Sequence, residues 1–202
     1  MLLGIMNTQG TVIGIIAAQY HYTNNQVALF GGLFIFGGIC GSAVAGTIVE
    51  MKKNYKTMLT ILAFLSTVAL VELMFVMKSL SVWGTAVSCF LVGSVSIAVL
   101  PVGVDFAVEI SHPVPESIST GLLLSTGQVI GIVLTVCDSL WITKSGNAGV
   151  IGGSSIMIVG AAVAGLISLG IESDLRRMKL EQQQKGLLDT EVESLKAEGL
   201  II

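Results

Sequence analysis

Between Ser117 and Trp141, Gln128 is the one polar side chain bulky enough to grip a ligand at mid-membrane depth. Written as a helix, this stretch brings Gly121, Ser125, Gln128, Gly131, Thr135 and Asp138 onto one face, because they recur at three- and four-residue steps. Leu122, Val129, Ile130, Val133 and Val136 fall opposite, where they suit lipid or a packed neighbour. A small, polar face on an apolar helix either lines a pathway or packs closely on another helix, and a hydrogen bond to a neighbouring helix would account for Gln128 equally well. The candidate solute-binding residues are Gln128, Ser125 and Gly131, with Asn7 from the first apolar run.

Other chemistry is not visible. The chain has no Walker A loop, no GxGxxG after a strand, no HExxH and no GxSxG elbow, so hydrolase and nucleotide-driven readings have no support and no catalytic residue is assigned. His21 and His112 fall at opposite membrane faces, which leaves no metal site and no cofactor. Cys40, Cys89 and Cys137 are odd in number, far apart and each within an apolar run, the pattern of reduced packing residues.

The elements that must position Gln128 follow from composition. Charged residues make up 11% of the 202 residues, against about 25% in soluble domains. Mean hydropathy is +0.88, the value of a membrane protein. Six apolar runs, Leu2–Gln19, Val27–Val49, Met58–Met77, Val82–Val104, Ser117–Ile142 and Ala148–Ile171, each lie near the roughly 20 residues a helix needs to cross the hydrocarbon core. Six transmembrane helices are therefore expected over residues 1–171. Gly37 with Gly41 and Ser42 with Gly46 form small-xxx-small pairs that should let the second helix pack closely on a neighbour. The first run opens at Met1 without a basic lead-in and carries Asn7, Thr8 and Gln9, so it reads as a span whose beginning is missing rather than as a signal peptide. Residues 172–202 hold five of the ten Lys/Arg and seven of the thirteen Asp/Glu, and read as a solvated, charged cytoplasmic tail.

Charges inside the runs need explanation. Glu72 is expected to snorkel toward Lys78, with proton coupling the alternative. Asp138, near an outer helix end, is expected to reach water. Asp105 and Glu109 follow Pro101 at i, i+4, where like charges repel and the lysines at 52, 53 and 56 are natural partners; a solvated helix end is the alternative.

The segment from Leu100 to Thr126, LPVGVDFAVEISHPVPESISTGLLLST, followed by GQVIG at Gly127 to Gly131, resembles the C-terminal half of the feline leukaemia virus subgroup C receptor-related family of major facilitator transporters. Gly46-Thr-Ile-Val-Glu50 with Lys53, Tyr55, Lys56 and Thr57, and Ser173-Asp-Leu-Arg-Arg177, agree in order. The resemblance implies an all-α membrane protein in which helices seven to twelve form the C-terminal lobe of a major facilitator fold. It also implies a proton-independent facilitator of choline- or ethanolamine-like cations, with haem or a vitamin-like base as the alternative solute. In the family a glutamine matching Gln128 joins an aromatic cage around the ammonium; the family's cage tyrosine falls at Leu3 here. Gly46, Glu50, Lys52, Lys53, Asp105 and Glu109 would form a cytoplasmic gate. The implied partners are a small solute, the lipid bilayer and an N-terminal six-helix lobe or a second copy, with no nucleic acid. A non-transporting, truncated membrane subunit is the competing class.

Orientation follows from the basic residues. Lys52, Lys53, Lys56, Arg176, Arg177, Lys179 and Lys185 fall on one side against Lys78 and Lys144 on the other, which puts both termini in the cytoplasm of a multi-pass protein, in the plasma membrane or an organellar one. Tyr20, Tyr22, Trp83 and Trp141 then form an outer aromatic belt. A cysteine introduced at Lys53 should be labelled only from the cytoplasm and one at Lys144 only from outside; the reverse labelling pattern would overturn the topology.

Overall fold

A computed structural model describes residues 2–52, 54–111 and 113–170, the side chains at 2, 143, 145–149 and 151 excepted. Expectations placed on Lys53, His112 and the tail at 172–202 lie outside the described residues. The regular elements are α1 (Leu2–Gln19), α2 (Asn24–Lys52), α3 (Tyr55–Lys78), α4 (Val82–Ser96), α5 (Val99–Ser111) and α6 (Glu116–Gly170). All regular structure among the described residues is helical, and the chain is an all-α membrane protein.

Five segments are long and apolar enough to cross a membrane: Asn24–Lys52, Tyr55–Lys78, Val82–Ser111, Glu116–Ile142 and Gly152–Gly170. The first expected span is helical but is not among those five, and its 18 residues include the polar triplet Asn7-Thr8-Gln9. The fourth span is α4 followed by α5, interrupted at Ile97 and Ala98. Pro101 explains the break, because its ring clashes with the carbonyl four residues earlier, at Ile97, and its nitrogen has no proton to give. Ile97 closes α4 through its N–H to the Gly93 carbonyl at 3.0 Å, and Leu100 N–H reaches the Ile97 carbonyl at 3.0 Å.

Backbone hydrogen bonding runs through all of α6, yet the element folds back on itself. Residues fifteen apart in a straight helix stand ~22 Å apart; here a Cβ on Gly153 would sit 3.7 Å from Asp138 Oδ1 and 3.2 Å from Ile142. The fifth and sixth runs thus form the two halves of a hairpin, Glu116–Ile142 and Gly152–Gly170. At the other short turns, Ser81 caps α4 by accepting from Gly84 N–H at 3.3 Å, and His21 and Leu80 adopt left-handed φ of 61° and 56°.

Lipid is as apolar as leucine, so burial alone does not drive helices together, and close backbone approach has to. The glycines provide it. A Cβ on Gly37 or Gly41 of α2 would collide with the carbonyls of Phe90 and Ser94 in α4, and one on Gly93 of α4 would strike the Phe34 carbonyl in return. Gly37 and Gly41 behave as their spacing predicts. The Ser42 and Gly46 pair does not, since a Cβ on Gly46 would meet nothing within 4 Å. Between α3 and α6 the hydroxyls of Thr60 and Ser168 meet at 2.5 Å.

Two cores fill the interior. One, toward the end that carries Tyr20 and Met77, groups Val12, Ile13 and Ile16 with Phe30, Phe34, Leu73, Met77 and Val92; the other groups Leu3, Val49, Leu62, Val99 and Val102. Trp83, 81% exposed, and Trp141 face outward as a belt requires, whereas Tyr22 turns inward, its ring edge-on to Phe30 at 5.2 Å and its hydroxyl on Thr85 at 3.1 Å. Of the cysteines only Cys89 is a packing residue; Cys40 and Cys137 are exposed, and all three are free.

Gly41→Ala should lower stability by about 1–3 kcal/mol through overpacking against α4. Gly32→Ala, where a Cβ meets nothing within 4 Å, should be neutral or stabilising by up to ~1 kcal/mol from helix propensity. Unfolding midpoints in a denaturing-detergent titration check the pair, and equal midpoints would contradict the packing argument.

Candidate functional site

The seam between α1 and the first half of α6 builds the site. Glycine again permits it: a Cβ on Gly4 would lie 2.7 Å from Ile130 Cγ2, one on Gly127 2.9 Å from Leu3 Cβ, and one on Gly131 3.2 Å from the Gly4 carbonyl oxygen. With the helices this close, Thr8 Oγ1 reaches two carbonyls, Gly4 at 2.9 Å within its own helix and Gly131 at 3.1 Å across the seam. Thr135 Oγ1 donates to Thr8 Oγ1 at 3.3 Å. One turn along, Asn7 Nδ2 donates to Gln128 Oε1 at 3.3 Å. The two amides singled out in the sequence, 121 positions apart, are brought together.

Beside that hydrogen bond lies an open hollow of about 290 Å³, lined by Asn7, Thr11, Gln128, Gly131, Thr135 and neighbouring Ile132 and Val136. This is at the lower edge of small-molecule sites. Its polar groups are amides and hydroxyls, with neither a charge nor an aromatic ring among the lining residues. Gly131 is a wall of the hollow and also a seam residue. Ser125 is exposed on the same helix, outside the hollow. Thr11 was missed by the sequence reading; its three-residue spacing from Thr8 and four from Asn7 was the available signal. Leu3, where the family's cage tyrosine would fall, is buried beneath Gly127 and does not reach the hollow.

Of the described residues proposed for the gate, Gly46, Glu50 and Lys52 lie in the last turns of α2, and Asp105 and Glu109 lie in α5. Glu50, Lys52 and Asp105 are exposed, Gly46 is half-buried and Glu109 is 8% exposed. Asp105 is near enough to Glu50 for the two carboxylates to repel, so in this conformation a like charge faces it.

Two other carboxylates depart from expectation. Glu72 does not snorkel toward Lys78: Ser88 Oγ donates to its Oε1 at 2.7 Å, and its Oε2 is buried without a hydrogen-bond partner. Asp138 is not wet. It is 0% exposed, because the return half of α6 covers it at Gly153. Gln9 is likewise buried, in a small enclosed hollow with Tyr20, Met77 and Ser154. Burial, and secondarily the Tyr22 phenol, push the Tyr20 phenol above its usual range.

Fold and site together define a class, a multi-pass all-α membrane protein with a polar hollow open on one face. No family model matches the chain. Curated relatives do. The choline/ethanolamine transporter flvcr2a of Danio rerio is 29% identical over 182 residues, covering 89% of this chain and 38% of the relative. The choline/ethanolamine transporter FLVCR2 of Homo sapiens is 27% identical over 166 residues, 81% of this chain and 31% of the relative. Solute carrier family 49 member A3 of Xenopus tropicalis is 33% identical over 138 residues, 66% of this chain and 28% of the relative. By these matches the chain is a homologue of the feline leukaemia virus subgroup C receptor-related family, whose motifs its sequence resembles. The chain spans about a third of the length of the curated relatives it matches.

Proposed function

We propose that the chain is a six-helix lobe of a major facilitator transporter, corresponding to helices seven to twelve, that moves a choline- or ethanolamine-like solute by alternating access. The observation that carries this is the Asn7–Gln128 pair at the rim of an open polar hollow, in a homologue of choline/ethanolamine transporters. A carboxamide both donates and accepts, so Gln128 can hold a solute hydroxyl while Asn7 orients it. Gln128, Asn7 and Gly131 form the solute wall on this reading, and Ser125 extends it toward the Lys52 end.

The hollow has no group suited to an ammonium, which is best held over aromatic faces. An N-terminal lobe or a second copy of the chain would supply that half of the site. Rocking between two such lobes around a midplane site is the general mechanism of these folds. The membrane is the plasma membrane or an organellar one, with both termini and the charged tail on the cytoplasmic side. The gate is a charge exchange: Asp105, now facing Glu50, pairs with Lys52 or Lys53 when the inner side closes, and Glu109 takes part through the same basic connector.

In the assembled transporter, Gln128→Ala should weaken solute uptake by about 1–3 kcal/mol, a lost polar contact, at unchanged surface expression. Reduced expression with normal uptake per molecule would instead make Gln128 a packing residue. Reversing charge at Asp105 and at Lys52, singly and together, should give a coupling energy above ~0.5 kcal/mol in the inward–outward equilibrium; additive effects at every such pair would remove the gate.

A further inference from the structure

Asp138 sits inside a membrane-crossing segment with both carboxylate oxygens buried and neither hydrogen-bonded. An isolated, ionised carboxylate in such surroundings is far more expensive than a missing hydrogen bond, and the group escapes by taking up a proton. The alternative is a compensating cation, and the neighbouring elements offer none. α1 has no charged side chain between Leu2 and Gln19, and the Gly152–Gly170 half of α6 has none either. Near this end α3 brings Glu72, which is tied to Ser88, and Lys78, which is exposed; on its own helix Cys137 and Lys144 are exposed. Among the described residues, no charged group is placed against Asp138. A bound metal ion would need further ligands, and among the described residues no three His, Cys, Asp or Glu side chains come together.

A second buried group points the same way. Gln9 is 1% exposed, and both ends of its carboxamide are unpaired. It shares a hollow of about 30 Å³ with Ser154, room for about one water, and Asp138 lies against the adjacent Gly153. A neutral carboxylic acid carries one donor besides its acceptor, so a water in that hollow could join it to either end of the Gln9 carboxamide, whereas a carboxylate offers acceptors alone. Thr135, three residues before Asp138 on the same helix, lines the open hollow.

We propose that Asp138 is a proton-binding site in the interior of the lobe, held as the neutral acid in this packing and able to release its proton only when the two halves of α6 part. The proposal does not depend on the transported solute. A proton bound there need not be coupled to solute movement, so the proposal is compatible with the proton-independent transport that the family resemblance implies.

Infrared spectroscopy of the full chain at neutral pH, in vesicles of ether-linked phosphatidylcholine that has no ester carbonyl, tests it through the C=O stretch that a carboxylic acid shows and a carboxylate does not. The expected result is an acid band that moves when aspartate is carboxyl-13C labelled, disappears in Asp138→Asn and persists in Asp105→Asn. The isotope arm and the Asp105 variant remain decisive even if Asp138→Asn fails to fold. A wild-type spectrum without an acid band, a band unmoved by labelled aspartate, or one lost in Asp105→Asn would each overturn the proposal.

Discussion

A bundle in lipid is held by contacts that only small residues permit, and this chain concentrates them at two seams. Along the first, α2 and α4 meet backbone to backbone through Gly37, Gly41 and Gly93. Along the second, α1 and α6 meet through Gly4, Gly127 and Gly131. Dispersion rises steeply as backbones close up, and each added methyl would remove the approach rather than fill a gap. The large aliphatic side chains are left to face outward: Ile35, Ile39, Val68, Val129 and Val133 are all exposed, as a lipid-facing surface requires.

The candidate site is a by-product of the second seam. Thr8 can span from the Gly4 to the Gly131 carbonyl because no side chain intervenes, and that clamp sets the rotation of α1 that delivers Asn7 to Gln128. The polar triplet Asn7-Thr8-Gln9, which makes the first run unlike the others, therefore divides its work by helical angle. Asn7 faces the open hollow, Thr8 fixes the seam and Gln9 turns inward among Met77, Ser154 and Met157. Polar groups at membrane depth are tolerated when they face a partner or a cavity, and all three meet that condition.

Much of this was legible from residue types. Run lengths gave the helices, and Gly37 with Gly41 gave a close contact. The pairing of Asn7 with Gln128 was only half legible, since both residues stood out but nothing local states which helices are neighbours. What a sequence does not carry is depth relative to the rest of the bundle. Asp138 and Glu72 lie near helix ends, where a linear reading gives them water; tertiary packing gave Glu72 to Ser88 and covered Asp138 with the returning half of α6. Tyr22 was assigned to the interfacial belt on position alone, and its hydroxyl found Thr85 instead.

The face that runs from Gly121 to Asp138 shows why helical periodicity identifies a surface but not its use. Its members share an angle around the helix axis, and what packs on each turn decides their fates. Nothing covers Gly121, Ser125 and Gln128, which stay exposed; α1 lies over Gly131; the Gly152–Gly153 turn lies over Asp138. The stripe is thus divided into an open wall, a seam and a buried carboxyl. On the proposed reading, a carboxamide suits the wall because it remains neutral while exchanging partners with a passing solute. A carboxyl suits the buried position only as the neutral acid, since no cation among the described residues is placed against it. The two residues stand ten positions apart on one helix, and the reversal of the chain beyond Ile142 is what separates their surroundings.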